Sequence, residues 1–133
     1  MGMSAGWLLD THALLWWMAA DVQLAAPIAK GIRNLKQEVV ISAAVVWEIG
    51  IKHRIGKLTG VEDYLADPAS HHRRWGFRDL PIDHDDARLA AMLVWDHRDP
   101  FDRMLVAQSR RHRLVLVSCD PVIRAYHPDI HWG

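Results

Sequence analysis

The sequence is poor in cysteine, and it lacks the long apolar runs that cross membranes. Cys119 is the one cysteine among 133 residues, which excludes an internal disulfide framework and a zinc or iron–sulfur site built from several cysteines. No apolar run approaches the roughly 18 residues of a transmembrane helix. The first residues also lack the basic start and apolar stretch of a signal peptide. These absences predict an intracellular, cytoplasmic protein that does not use a membrane.

An excess of charge of one sign is missing as well. Sixteen Lys and Arg balance sixteen Asp and Glu, so the formal net charge at pH 7 is zero. A polybasic coat for nucleic acid is therefore not expected, and any contact with RNA or DNA must use a local patch. The chain has no glycine-rich loop followed by Lys and Ser or Thr, which argues against a P-loop enzyme.

The apolar content is sufficient for one domain. Hydrophobic residues make up 50% of the chain, which is enough to bury a single core at this length. Residues 1–6 read as a leader or an expression remnant, and residues 7–133 are expected to form the single domain.

Short apolar runs alternate along the chain with segments of helical periodicity. Continuous apolar runs at residues 7–10, 39–42 and 114–118 predict buried strands, and residues 80–82 predict a short edge strand that contains a proline. Helices are predicted over residues 11–18, 27–37, 43–55, 61–77, 84–93 and 100–112. Apolar strands separated by helices indicate an α/β fold whose parallel sheet is covered on both faces.

Four carboxylates fall near the edge where such a sheet places ligands, beyond the carboxyl ends of its strands. Asp10 ends the first strand, and Asp120 lies just past the last clear one. Glu48 lies about a turn and a half into the helix that follows the second strand, and Asp102 lies in the first turn of the helix before the last strand. The hypothesis is that these residues, called here the four acids, converge.

Converging carboxylates need a positive partner, because like charges raise one another's pKa and oppose folding. Oxygen ligands without cysteine or histidine favour Mg²⁺ or Mn²⁺ over Zn²⁺. Mg²⁺ keeps several waters and leaves positions for a phosphate oxygen and a water nucleophile. The reaction predicted is metal-assisted hydrolysis of a phosphodiester, and the pattern is compatible with one metal or two.

Each acid also has a purely structural interpretation. Asp10 and Asp99 would serve as helix caps, and for that reason Asp102 ranks above Asp99 as the third acid. Asp102 itself would serve as the acidic member of a capping box, and Asp120 before a proline suits a turn. Glu48 would pair at the surface with the lysine four residues on.

Histidine, tryptophan and basic residues leave further alternatives open. His12 closely follows the first acid, although packing at a helix start explains it equally well. Trp16, Trp17 and Trp47 lie in apolar helical runs, which favours the core or a dimer surface over base stacking. The basic cluster at Lys52, His53, Arg54 and Lys57 reads as a solvated helix face, and it would support RNA binding only if it bordered the acidic pocket.

Four motifs, in their order and spacing, resemble the PIN-domain ribonucleases, specifically the VapC-type toxins of bacterial toxin–antitoxin pairs. They are LLDTHALLWW at residues 8–17, ISAAVVWEIGIKHRIGKL at 41–58, HRDPFDRMLVAQ at 97–108 and LVLVSCD at 114–120. The resemblance covers residues 7–132 and is loose between the motifs. It implies a compact α/β/α sandwich with a central parallel sheet and an acidic pocket that binds Mg²⁺ or Mn²⁺ and hydrolyses RNA.

The resemblance also assigns roles by position. It makes Asp10, Glu48, Asp102 and Asp120 catalytic, with Asp10, Asp102 and Asp120 as the metal ligands. Ser118 falls on a small hydroxyl residue two before the last acid, and Asp99 is a fifth carboxylate that could share the third role. A cognate antitoxin and a homodimer are further implied.

The function expected is therefore that of a metal-dependent endoribonuclease, the toxin component of a toxin–antitoxin pair, that hydrolyses RNA with a metal-activated water. Two alternatives belong to other classes. A non-catalytic protein-binding module would keep the sheet and need no metal. A receiver-like Mg²⁺-binding signalling domain requires two adjacent acids near the start of the chain and a lysine that follows a strand near its end. The sequence has neither feature.

Overall fold

The structure, a computed structural model, describes residues 5–34 and 37–133. Residues 1–4, part of the expected leader, and residues 35 and 36 lie outside these ranges. The strands of the described part are β1 (Trp7–Leu9), β2 (Val39–Ser42), β3 (Arg78–Leu80), β4 (Val115–Val117) and β5 (Ile130–His131). Its helices are α1 (Thr11–Met18), α2 (Ala26–Arg33), α3 (Ala43–Arg54), α4 (Glu62–Ala66), α5 (Pro68–Trp75), α6 (His84–Met92), α7 (Pro100–His112) and α8 (Pro121–Tyr126).

The strands form one parallel sheet in the order β3-β2-β1-β4-β5. Successive residues of a strand point to opposite faces of a sheet. Leu8 and Leu9 of β1 are both fully buried, as are Leu116 and Val117 of β4. Helices therefore cover both faces, and the expected α/β/α sandwich with a central parallel sheet is confirmed.

The strand order places a topological switch point between β1 and β4. From β1 the chain moves outward to β2 and β3, and it then returns past β1 to form β4 on the other side. Leu9 pairs with Val117, so the two strands end at the same level. In open α/β sheets, ligands bind in the crevice outside the carboxyl ends at such a point.

Short polar side chains start the helices that leave this edge. Asp10 Oδ1 accepts a hydrogen bond from Ala13 N at 2.8 Å, and Ser42 Oγ accepts one from Ala44 N at 3.0 Å. Asp120 Oδ1 likewise accepts from Val122 N at 2.9 Å. Each side chain satisfies a backbone donor that the first helical turn leaves free.

The middle of the chain differs from the prediction. The single helix expected over residues 61–77 is two helices, α4 and α5, because Asp67 before Pro68 takes an extended φ of −159°. Asp67 then caps α5 by accepting from Ser70 N at 3.2 Å. The edge strand expected at residues 80–82 lies at Arg78–Leu80 instead, since Pro81 has no N–H with which to continue the ladder.

One further helix boundary was wrong, and one strand was missed. The helix expected over residues 27–37 ends at Arg33, because Asn34 leaves the helical region with ψ of 112°. The strand β5 was not predicted, since two residues give no readable alternation, yet Ile130 and His131 pair with β4. No helix within the described ranges is long and apolar enough to cross a membrane.

Candidate active site

Asp10 lies in the interior at the carboxyl end of β1. Its side chain is buried with the residue 7% exposed, and its backbone N–H donates to Val117 O of the neighbouring strand at 3.1 Å. Burial raises the pKa of the Asp10 carboxyl, and the charge of Asp120 adds to that rise. Hydrogen bonds from Ser118 and Ala13, together with the nearby imidazole of His12, act in the opposite direction on this pKa.

Ser118 links the first acid to the last. The residue is fully buried, and its hydroxyl hydrogen-bonds to the Asp10 carboxylate. The same oxygen accepts a hydrogen bond from Asp120 N at 3.1 Å. Ser118 therefore holds together the two strand ends that carry Asp10 and Asp120, which lie at the same edge of the sheet as expected.

Asp102 occupies the first turn of α7, close to Asp120 and Asp99. Burial raises the pKa of Asp102 to about 6, and the charges of Asp99 and Asp120 contribute to the rise. A hydrogen bond from His97 acts against that rise, with His97 Nε2 lying 2.7 Å from Asp102 Oδ2. Asp99 caps the helix through Oδ1, which accepts from Phe101 N at 2.9 Å and Asp102 N at 3.0 Å.

Glu48 reaches this region from α3 through a neighbour of the first acid. Thr11 Oγ1 donates a short hydrogen bond to Glu48 Oε1, and Thr11 directly follows Asp10. Lys52 Nζ lies 2.8 Å from the other carboxylate oxygen, so the expected i,i+4 pair also forms. The Glu48 side chain is only 12% exposed, so it is held at the site rather than solvated.

His97 is the residue at this site that sequence reasoning missed. It lies in the loop before α7 and contacts Asp102, five positions further along the chain. The loop is held by Arg103, whose guanidinium donates to five backbone carbonyls, those of Ala90, Ala91, Leu93, Trp95 and His97. The only sequence signal was the position of His97 inside the motif HRDPFDRMLVAQ.

The donor set consists of hard carboxylate oxygens, which suits Mg²⁺ or Mn²⁺. Asp10 is buried and Asp102 is half-buried, both beside the like charge of Asp120, so a cation would relieve their repulsion. In residues 5–34 and 37–133, no group of three or more His, Cys, Asp or Glu side chains is positioned to hold a metal ion. Mg²⁺ is commonly bound by one or two carboxylates, with water completing its coordination.

The site is thus a set of carboxylates at the switch point of a parallel sheet, and comparison with known proteins gives the family. The PIN domain model matches residues 7–127, and the chain belongs to the PIN domain family. It is also 37% identical over 68 residues to "Ribonuclease VapC16" of Mycobacterium tuberculosis (strain ATCC 25618 / H37Rv). That match covers 50% of this chain and 46% of the relative, so it spans about half the length of the curated relative.

Solved structures show the same fold at low sequence identity. A toxin–antitoxin complex from Klebsiella pneumoniae aligns with a TM-score of 0.65 at 20% identity and 96% coverage of both chains. VapBC2 from Rickettsia felis, bound to a DNA fragment from its promoter, aligns with a TM-score of 0.65 at 11% identity. That alignment covers 96% of this chain and 98% of the other. FitAcB from Neisseria gonorrhoeae aligns with a TM-score of 0.63 at 19% identity, covering 88% and 89%.

Proposed function

We propose that the protein is a metal-dependent endoribonuclease and the toxin of a toxin–antitoxin pair. The observation that carries this proposal is the buried carboxyl of Asp10 and the half-buried carboxyl of Asp102, both with a raised pKa, beside Asp120 at the switch point of a PIN-domain sheet. Perturbed carboxyls in such a crevice are typical of catalytic sites. The relative named as a ribonuclease and the toxin–antitoxin complexes of like fold support the same activity.

Asp10, Asp102 and Asp120 would surround Mg²⁺, for which Mn²⁺ substitutes, with one or two of these carboxylates bound directly and water completing the coordination. When bound, the cation would offset the carboxylate charges and stabilise the negative charge that develops on the phosphate. Ser118 would keep Asp10 and Asp120 together, and His97 would orient Asp102.

Glu48, the one of the four acids not assigned to the metal, would act as the general base. Its carboxylate accepts a hydrogen bond from Thr11, the residue after Asp10, and the ion pair with Lys52 holds it in that position. It would accept a proton from the attacking water as the water oxygen bonds to phosphorus and the bond from phosphorus to the leaving ribose oxygen breaks.

The test is cleavage of single-stranded and structured RNA by the purified protein with Mg²⁺ or Mn²⁺ and with EDTA. Asp10→Asn and Asp120→Asn are expected to lower the cleavage rate by about 10² or more with the fold retained. Asp63→Asn, at an exposed position in α4, is the matched control and should cleave as the wild type does. Cleavage that persists in the two site variants, or in EDTA, would reject the proposal in favour of a non-catalytic binding module.

The proposal extends to partners and location. A cognate antitoxin protein would inhibit the RNA site, and two copies of the chain would form a homodimer in the cytoplasm. Co-purification with the product of a neighbouring gene, followed by loss of RNA cleavage, would test the antitoxin.

A further inference from the structure

A second concave surface opens beside the four acids. It is a cleft of about 660 Å³ between α1, the end of α3 and the segment that precedes α4. His12 and Lys52 stand on its wall. His12 acts electrostatically on Asp10, and Lys52 forms the ion pair with Glu48, so two residues of the cleft wall interact with two of the acids.

One wall of the cleft is made of flat rings. The imidazole of His12 stacks on Trp16, with 5.4 Å between ring centroids and 28° between planes. Trp16 is half-buried against the core and is supported on another side by Trp132 at 5.8 Å. His12 itself is exposed. This wall offers a supported aromatic surface on which a base can stack.

The charged residues that line the cleft are cationic. Lys52 and Lys57 both line it, and the lining contains no Asp or Glu. Lys57 is exposed, and none of the ion pairs found in the described part of the chain involves it. Lys52 contacts Glu48 through an ammonium group that has three donors, so it can also face a phosphate.

We infer that this cleft binds one nucleotide of the RNA strand, next to the phosphate that is cleaved. The base stacks at the surface formed by His12 and Trp16, and Lys57 with Lys52 contacts a backbone phosphate. Its volume lies within the roughly 300–1,000 Å³ of small-molecule sites, and stacking rings combined with cations are the usual means of holding single-stranded RNA. This inference rests on the proposed nuclease function.

The charge contribution is tested through salt dependence. A fluorescein-labelled single-stranded RNA of about ten nucleotides is titrated with the chain in EDTA at several KCl concentrations, and anisotropy is measured. Lys57→Ala should weaken binding and lower the magnitude of the slope of log K against log salt by about 0.7, the value for one phosphate contact on a single strand. Lys30→Ala, an exposed lysine of α2 outside the cleft, should keep the wild-type slope.

The stacking contribution is tested with two substitutions at one position. His12→Ala should weaken RNA binding roughly 5- to 150-fold, the range measured for loss of one base stack. His12→Phe keeps a flat ring and should bind within about threefold of the wild type. Since position 12 is exposed, both variants should unfold at the wild-type temperature.

Cleavage kinetics separate this inference from the nuclease proposal. Lys57→Ala and His12→Ala should raise KM for RNA cleavage while His12→Phe and Lys30→Ala do not. If Lys57→Ala and His12→Ala have the same KM, RNA affinity and salt slope as the wild type, the nucleotide site is overturned. The nuclease proposal is unaffected by that result. If the wild type instead binds RNA without cleaving it, while Lys57→Ala and His12→Ala weaken that binding, the result would support the nucleotide site and reject the nuclease proposal. A third outcome is that poly-glutamate binds as tightly as RNA and loses the same affinity in Lys57→Ala and His12→Ala. That result would overturn the nucleotide site and indicate that the cleft binds an acidic peptide.

Discussion

At the residue scale, the acids lie in surroundings that disfavour their own charge. Asp10 and Asp102 both have a raised pKa, with burial as the first cause, and Asp120 adds like charge to each. A site of this kind lowers the stability of the metal-free protein. The same features that suit Mg²⁺ therefore make the fold sensitive to pH.

The substitution Asp102→Asn tests how much the charge of Asp102 lowers the stability of the metal-free protein. The pKa of Asp102 is about 6 in the folded protein, above the usual 3.8, so the folded state binds more protons and stability falls as pH rises from about 4 to about 6. In EDTA at pH 8, we expect Asp102→Asn to unfold with about 2 kcal/mol more free energy than the wild type, and the gain should vanish near pH 4. Urea denaturation at both pH values measures it.

The matched control is Asp63→Asn, since Asp63 is exposed on α4. Its stability should track the wild type across the same pH range. A loss of stability at pH 8 in Asp102→Asn would show that the bond to His97 outweighs the burial of the charge. Added Mg²⁺ should stabilise the wild type more than Asp102→Asn.

Individual residues were predictable where their partners are local. Asp10 and Asp99 were expected as helix caps from the few residues around them, and each accepts a hydrogen bond from its own first turn. The bond from His97 to Asp102 was not predictable, because it depends on a loop held by the Arg103 guanidinium. The catalytic and metal roles of the four acids stay predictions.

At the element scale, helix α2 approaches the start of β1 very closely. A Cβ placed on Gly31 of α2 would lie 2.2 Å from Cη2 of Trp7, the first residue of β1. No methyl group fits at that distance, so glycine is required for the helix to pack here. Gly50 of α3 has more room, since a Cβ there would meet only Leu65, at 4.0 Å.

Gly31→Ala and Gly50→Ala therefore form a matched pair. We expect Gly31→Ala to lower the free energy of unfolding by about 1–3 kcal/mol, because Trp7 must shift. Gly50→Ala should raise it by up to about 1 kcal/mol, as alanine favours the helix and contacts nothing closely. Chemical denaturation of both variants gives the comparison, and equal effects of the same sign would contradict the packing argument.

Element positions were predictable where local signals were strong. Helix α1 and strand β2 have the predicted bounds, because a polar cap or a run of β-branched residues marks each of them. The separation of α4 from α5 was signalled by Pro68, although the periodicity of the segment hid it. Strand β5 is defined by its pairing with β4 and not by its own two residues.

At the scale of the whole molecule, one exposed surface is apolar rather than charged. Trp47 of α3 is 59% exposed and packs edge-on against Phe101 at 5.0 Å. It lines two neighbouring clefts, of about 590 and 260 Å³, whose walls are mostly aliphatic and aromatic. Exposed apolar patches of this kind mark interaction sites, and a mostly apolar patch can face its own copy about a two-fold axis.

Trp47→Ser tests the proposed homodimer at this surface. We expect the wild type to elute as a dimer in size-exclusion chromatography with light scattering, and Trp47→Ser to shift toward the monomer. Val22→Ser is the control, since Val22 is 97% exposed and lines neither cleft. A monomeric wild type, or a dimer that both variants leave intact, would remove this surface as the dimer contact.

The pairing of β1 with β4 also has a temporal consequence. Asp10 and Asp120 become neighbours only when Leu9 and Val117 share a ladder, and the two ends of that ladder leave the ribosome at widely separated times. A nascent chain in which β4 has not yet been synthesised contains Asp10 but lacks the crevice between β1 and β4. Under the proposed function, polypeptides cut short by premature termination before residue 120 should therefore be unable to cleave RNA.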